Sequence, residues 1–249
     1  MYQQTTALHR AMLASLRPSL AGGSEALSIS EQIAMQLADE IVNEKYSPND
    51  RLQEIGISER YKVSRGPVRE ALRILENAGL VTIAPRRGAI VTQLSAEEVA
   101  DVFDIRAVLS GLGARRLAET RSQDDIKMLE RQLSVLKKLA KKSGSTAAAD
   151  YVHAVVEFGL SISEASGNTR LNSMVTLLFH QTLRYSRLGL SSPERRAHSC
   201  ENWAELVDHI VHGRGEDAEK TARRLVDQSK IHAIRLLKDE ANAATDQIR

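Results

Sequence analysis

The stretch VSRGPVREALRILENAGLV, Val63 to Val81, sets Arg65, Arg69 and Arg73 four residues apart, behind a serine and around a proline. A spacing of four stacks side chains on one face of a helix. Three guanidinium groups in such a row repel one another, and an anion lying across the face relieves that repulsion. Guanidinium is also the side-chain group best shaped to grip a phosphate or a guanine edge through two donors. The chemistry on offer is anion recognition.

The rest of the stretch fits a helix that presents this row. Ser64 stands where an N-cap belongs, and Pro67 lies in the first turn, where a missing N–H costs nothing. Val68, Leu72 and Leu75 form an apolar stripe on another side. Gly79 marks the stop. The plainer alternative is a solvated amphipathic helix, with Arg69–Glu76 and Arg73–Glu76 as its pairs. The wider region favours the first reading. Arg60, Lys62, Arg65, Arg69, Arg73, Arg86 and Arg87 face only Glu70 and Glu76, a local excess of five positive charges in a chain whose formal net charge is +2. Such a patch suits nucleic acid.

The flanking elements define the unit that must hold this helix. Residues 1–28 read as a tail with no assigned role. From Ser30, a plausible N-cap, Ile33, Leu37, Ile41 and Val42 recur at helical spacing. YSPND breaks that helix, and a short one follows over about 54–61. The arginine helix spans about 66–78. Leu80 to Ala84 and Ala89 to Thr92 are short strands about the turn PRRG. Three helices and a hairpin outline a winged helix-turn-helix over 29–93, with Arg86, Arg87 and Gly88 at the wing tip. Glycine there permits close approach. Double-stranded DNA is the partner this implies.

From Ser95 the chain turns nearly all helical, opening on the capping-box pattern SAEE. Helices are predicted over about 96–120, 123–142, 147–165, 170–188, 194–212 and 216–240. A helical bundle is therefore expected over 94–240, before a tail at 241–249, and the fold class is mostly α.

Composition bounds the function. The chain has 249 residues, 42% apolar and 27% charged, enough for two ordinary domains. One cysteine, Cys200, allows no internal disulfide and fits a reducing cytoplasm. No apolar run approaches the roughly 18 residues of a membrane span, and no signal pattern opens the chain, so a cytoplasmic protein is expected. No Gly-rich phosphate loop, nucleophile elbow or metalloprotease motif is present. Cys200 has no evident base partner. Neither enzymatic activity nor a cofactor is expected.

LQEIGISERYKVSRGPVREALRILENAGLVTIAPRRGAIV, Leu52 to Val91, resembles the DNA-binding domain of the GntR family of bacterial transcription regulators. It departs at Ile57-Ser58, where Leu-Ala is usual. The resemblance implies a homodimer on a short palindromic operator, with base or phosphate contacts from Ser64, Arg65, Gly66 and Arg69 and a wing contact near Gly88. DVFDIRAVLSGLGARRLAE and FGLSISEASGNTRL resemble the FCD branch of that family, named for the C-terminal domain of the regulator FadR.

That branch commonly carries a metal bound by one Asp and three His. The matching positions here are Val155, Gly159, Trp203 and Leu225, none of which bears a donor. Replacing all four leaves an apolar chamber, and Trp203 is expected to fill the space at Gly159. A pocket without metal is the expectation. The rival is a shifted site drawn from His153 with Glu157, or His209 with His212. Arg106 matches an arginine that faces the pocket in this branch, and a carboxylate effector would match its charge. An ion pair with Asp104 would serve as well. Asn168 and Arg184 are further polar candidates. The expected function is a regulator, specifically a repressor, that answers to a small carboxylate. The alternative is an effector-independent regulator whose helical half only dimerises.

Overall fold

The computed structural model describes residues 27–42, 45–84, 87–144 and 146–246, the last seven by backbone only. The expected tail up to residue 26, Arg86 at the wing tip and residues 247–249 lie outside the described residues. The chain divides into two compact units, Met1–Leu94 and Ser95–Arg249.

The first unit contains α1 (Ile29–Val42), β1 (Arg51–Leu52), α2 (Glu54–Tyr61), α3 (Arg65–Asn77), β2 (Val81–Ala84) and β3 (Gly88–Val91). The cap of α1 is Ser28 rather than Ser30. Ser28 Oγ accepts from the Glu31 amide at 3.2 Å, and the Glu31 carboxylate accepts from the Ser28 amide at 2.8 Å. Glu31 stands three residues after Ser28, which is what makes this reciprocal pairing possible. Ile33, Leu37 and Ile41 are buried together with Ile57, Val68, Leu72 and Leu75, and α3 packs on both α1 and α2.

The turn between α2 and α3 passes through Lys62, whose φ is 54°. There the Val63 amide donates to Ser58 O at 3.1 Å, closing the end of α2. The end of α3 is a Schellman motif. Gly79 sits at φ 71°, its amide donating to Glu76 O at 2.8 Å while the Leu80 amide donates to Leu75 O at 3.0 Å. The sheet is three-stranded, in the order β1-β3-β2, rather than a lone hairpin. Arg51 pairs with Ile90 and Leu52 with Ala89, in antiparallel register. A strand of two residues is too short to show a period, so sequence pattern missed it.

The second unit is helical throughout: α4 (Ala96–Thr120), α5 (Gln123–Ala140), α6 (Ala147–Ala165), α7 (Thr169–Gly189), α8 (Pro193–Val211) and α9 (Gly215–Asp246). Local chemistry sets most of the starts. Ser95 with Glu98 and Ser122 with Asp125 form capping boxes. Asn168 Oδ1 accepts from the Leu171 amide at 3.0 Å, and Ser192 Oγ accepts from the Arg195 amide at 3.2 Å ahead of Pro193. The helix α9 runs on to Asp246, into residues expected as a tail. ANAATD is alanine-rich and holds no Gly or Pro to end it. Helix α4 lies along α9 and packs on α6, α7 and α8 as well, so α4 is the axis of the bundle.

Candidate nucleic-acid interface and buried cavity

In the first unit, α3 buries Val68, Ala71, Leu72 and Leu75 and leaves Arg65, Gly66, Arg69 and Arg73 exposed. The pairs expected for the plainer alternative do not form. Arg69 Nε donates to Glu54 Oε2 at 2.9 Å, and Arg73 lies 3.7 Å from Glu70. Glu76 instead accepts from the Ile83 amide at 2.9 Å, which ties α3 to the wing. The two arginine pairs are largely exposed, a setting in which an ion pair contributes about 0–1 kcal/mol. A phosphate can displace either carboxylate at little cost. Arg60 differs from the row. It pairs with Glu40 at 2.9 Å and stacks on Tyr61, so one of the seven cations is spent on joining α2 to α1.

Ser64 occupies the N-cap with φ −68° and ψ 166°, but its side chain makes no capping hydrogen bond. The hydroxyl and the first-turn amides of α3 are thus open to an incoming acceptor, at the positive end of the helix dipole. A Cβ on Gly66 would meet nothing nearer than Ser64 Oγ at 4.0 Å. The fold itself does not need glycine there, and within a helix it costs about 1 kcal/mol relative to alanine. At the wing tip the Arg87 amide donates to Ala84 O at 3.1 Å, and Gly88 turns the chain at φ 75°. The Arg87 side chain is exposed.

In the second unit, a cavity of about 50 Å³ lies inside the bundle. Its wall is mostly apolar, and Arg106 reaches it from α4. Only 3% of Arg106 is exposed. Its guanidinium donates to Thr182 Oγ1 and, at 3.3 Å, to Ser186 Oγ. Its carbon centre lies 4.3 Å from the Phe103 ring centroid and 5.0 Å from that of Phe179. Nε has no hydrogen-bond partner, nor does Ser163 Oγ in the same wall. Among the described residues no carboxylate pairs with Arg106, because Asp104 is taken by Lys230. Burial therefore lowers the Arg106 pKa to about 9. Arg196, equally buried and also with an unpartnered Nε, differs in donating to two carbonyls, those of Leu190 and Ser191 that follow α7. Hydroxyls and ring faces leave the Arg106 cation without a full counter-charge.

The family model described as "Bacterial regulatory proteins, gntR family" matches residues 29–91, and the one described as "FCD domain" matches residues 101–228. The chain belongs to the FCD branch of the gntR family. The HTH-type regulator YdhC of Bacillus subtilis (strain 168) is 33% identical over 107 residues, 43% of this chain and 48% of that protein. The HTH-type transcriptional repressor RspR of Escherichia coli (strain K12) is 35% identical over 105 residues, 42% of this chain and 46% of the repressor. The chain spans about half the length of the curated relatives it matches. The E. coli McbR/YncC structure superposes with a TM-score of 0.72 at 20% identity, covering 87% of this chain and all of that one. That likeness speaks for the fold.

In this gntR-family chain, Val155, Gly159, Trp203 and Leu225 all line the one cavity, with Arg106. Trp203 does not fill the space over Gly159. It stacks on Phe158, with ring centroids 4.6 Å apart. Phe179 fills that space instead: a Cβ on Gly159 would stand 2.6 Å from its Cζ. Asn168 is spent on capping α7, and Arg184 is not part of the wall. No group of three His, Cys, Asp or Glu side chains able to hold a metal occurs among the described residues. His209 lies 3.4 Å from Glu205, and His212 Nδ1 is 2.8 Å from Asp208 O. Sequence reasoning missed Phe179, Ser163, Thr182 and Ser186. Thr182 and Ser186, four apart on a helix with Leu183 between them, were the available signal.

Among the described residues no helix is long and apolar enough to cross a membrane.

Proposed function

We propose that this chain is a DNA-binding transcription repressor of the cytoplasm that binds a palindromic operator as a dimer. One helix of each copy, α3, enters the major groove. Arg65 and Arg69 reach base edges or phosphates, and Arg73 grips the backbone. Ser64 and Gly66 bring the start of the helix against a phosphate, and Arg87 with Gly88 lays the wing along the duplex. The observation that carries this reading is the exposed arginine row on a helix whose N-cap hydroxyl and first-turn amides are left open. The domain boundaries that suit it are 29–93 for the reading head and 94–240 for the bundle.

The bundle answers to a small carboxylate at Arg106, without metal. The support is a fully buried cation that meets only hydroxyls and rings beside a cavity. Val155, Gly159, Trp203 and Leu225 give the ligand an apolar surround. Binding favours one subunit arrangement over another and so changes operator affinity by the ligand's differential binding energy. The size of the cavity, about 50 Å³, favours a second reading, in which the bundle only dimerises.

The test is selection of genomic fragments by the purified full chain, followed by sequencing. One enriched palindrome is expected. No enrichment from folded protein overturns the operator reading. Retention of that fragment is then measured against a panel of small carboxylates; none altering it would leave the effector-independent reading standing.

A further inference from the structure

The wall of the bundle cavity holds two donors that meet no acceptor, Arg106 Nε and Ser163 Oγ. Each residue is only 3% exposed. A buried donor without an acceptor is costly, and two in one wall mark a place where an acceptor belongs. A carboxylate brings acceptors on two oxygens. It also brings the negative charge that the Phe103 and Phe179 ring faces supply only in part.

The rest of the wall decides how many charges such a ligand can carry. Arg106 is the only charged residue in it. A second carboxylate would lie against side chains such as Val156, Ile162, Val175 and Leu206. An unpaired charge buried there is strongly disfavoured. The wall therefore suits one carboxylate and rejects two.

The size limit comes from Phe179. Gly159 has no Cβ, and the Phe179 ring uses the gap: a Cβ at 159 would stand 2.6 Å from Cζ and 3.1 Å from Cε2. Seated there, the ring borders the cavity and lies with its centroid 5.0 Å from the Arg106 carbon centre. About 50 Å³ is left. That exceeds the share of one liquid water, about 30 Å³, and is a third of the roughly 150 Å³ in which an apolar protein cavity takes up benzene. An acid of one or two carbons suits this space. A branched or aromatic acid needs the place that the Phe179 ring already holds.

We infer that the cavity selects a monocarboxylate of one or two carbons, and that Phe179, seated over Gly159, is the residue that sets this limit. The inference rests on the carboxylate reading above and narrows it to a ligand class. A smaller side chain at 179 would open a benzene-sized space beside the same Arg106, and apolar burial would then favour an aromatic acid.

The experiment uses the full chain. Trp203 is its only tryptophan and lines the cavity, so Trp203 emission reports occupancy. Wild type, Phe179→Ala and Arg106→Met are titrated with sodium acetate, malonate and benzoate at matched ionic strength, by calorimetry and by Trp203 emission, with helicity checked by circular dichroism. In the wild type acetate should bind saturably, and malonate and benzoate at least about 10-fold more weakly. In Phe179→Ala benzoate should overtake acetate by at least about 10-fold. Arg106→Met should lose every response. Benzoate matching acetate in the wild type, or an unchanged order in folded Phe179→Ala, overturns Phe179 as the limit and leaves the carboxylate reading intact. Malonate matching acetate overturns the single-carboxylate class. No acid binding to either wild type or Phe179→Ala overturns both this inference and the carboxylate reading. Should Phe179→Ala fail to fold, Phe179→Leu is read in the same way with isobutyrate in place of benzoate.

Discussion

Replacing Arg106 by methionine should make the ligand-free protein more stable. Burial lowers the Arg106 pKa to about 9, so the folded state disfavours the charged form. At ~1.4 kcal/mol per pH unit below the ordinary arginine value, the buried charge costs on the order of 4–5 kcal/mol. The Phe103 and Phe179 faces return about 1–2 kcal/mol of this through cation–π attraction. Roughly 2–4 kcal/mol of net strain remains. Methionine has similar length and carries no charge. Thr182 Oγ1 keeps its own bond to Leu178 O at 2.7 Å, so the change does not strand it. Arg106→Met should therefore raise the melting temperature by about 4–8 °C. The sign with pH follows from a lowered folded pKa. The destabilisation is fully present below about pH 9 and is relieved only above it, so the gap between variant and wild type should stay constant from about pH 6 to 8. Small carboxylates that raise the wild-type melting temperature should leave the variant unmoved. Thermal melts followed by circular dichroism measure all of this. A folded Arg106→Met that melts lower than wild type would refute the idea of an uncompensated cation.

The other predictions concern separate parts of the chain. Arg69→Ala should weaken operator binding by about 1–3 kcal/mol per half-site and relax base preference there, measured by fluorescence anisotropy; unchanged affinity removes α3 from the groove. Wild-type affinity should fall steeply with added salt as counterions are released, and a flat salt response would contradict phosphate contacts. Gly159→Ala should cost about 1–3 kcal/mol in urea unfolding, because the Phe179 ring must swing aside. Gly189→Ala should cost more: its Cβ would stand 2.8 Å from the Ser229 backbone carbonyl, which cannot turn away as a ring can. Equal costs would mean that the α7–α9 approach is slack. Cys200 is buried and burial raises its thiol pKa, so alkylation at pH 8 should run at least ~10-fold slower in the folded chain than in denaturant.

What the sequence determined was local. Capping residues, glycine stops and apolar periods placed the helix limits of the bundle to within a few residues, except the end of α9, because each signal acts over one or two turns. The arginine row was legible for the same reason: a spacing of four decides which side chains share a face. The resemblance to the FCD branch picked out Val155, Gly159, Trp203, Leu225 and Arg106, and the bundle gathers them in one wall. What needed the tertiary structure was the choice among partners distant in sequence. Glu54 rather than Glu76 meets Arg69, because packing of α2 on α3 brings a residue fifteen positions away within reach. Phe179 rather than Trp203 covers Gly159, because two rings competed for one space and helix placement settled which could enter. Arg106 faces hydroxyls rather than Asp104, since neighbours two apart on a helix point to different sides and Lys230 of α9 claims the carboxylate. In each case short-range spacing named the candidates, and only close packing of whole helices chose between them.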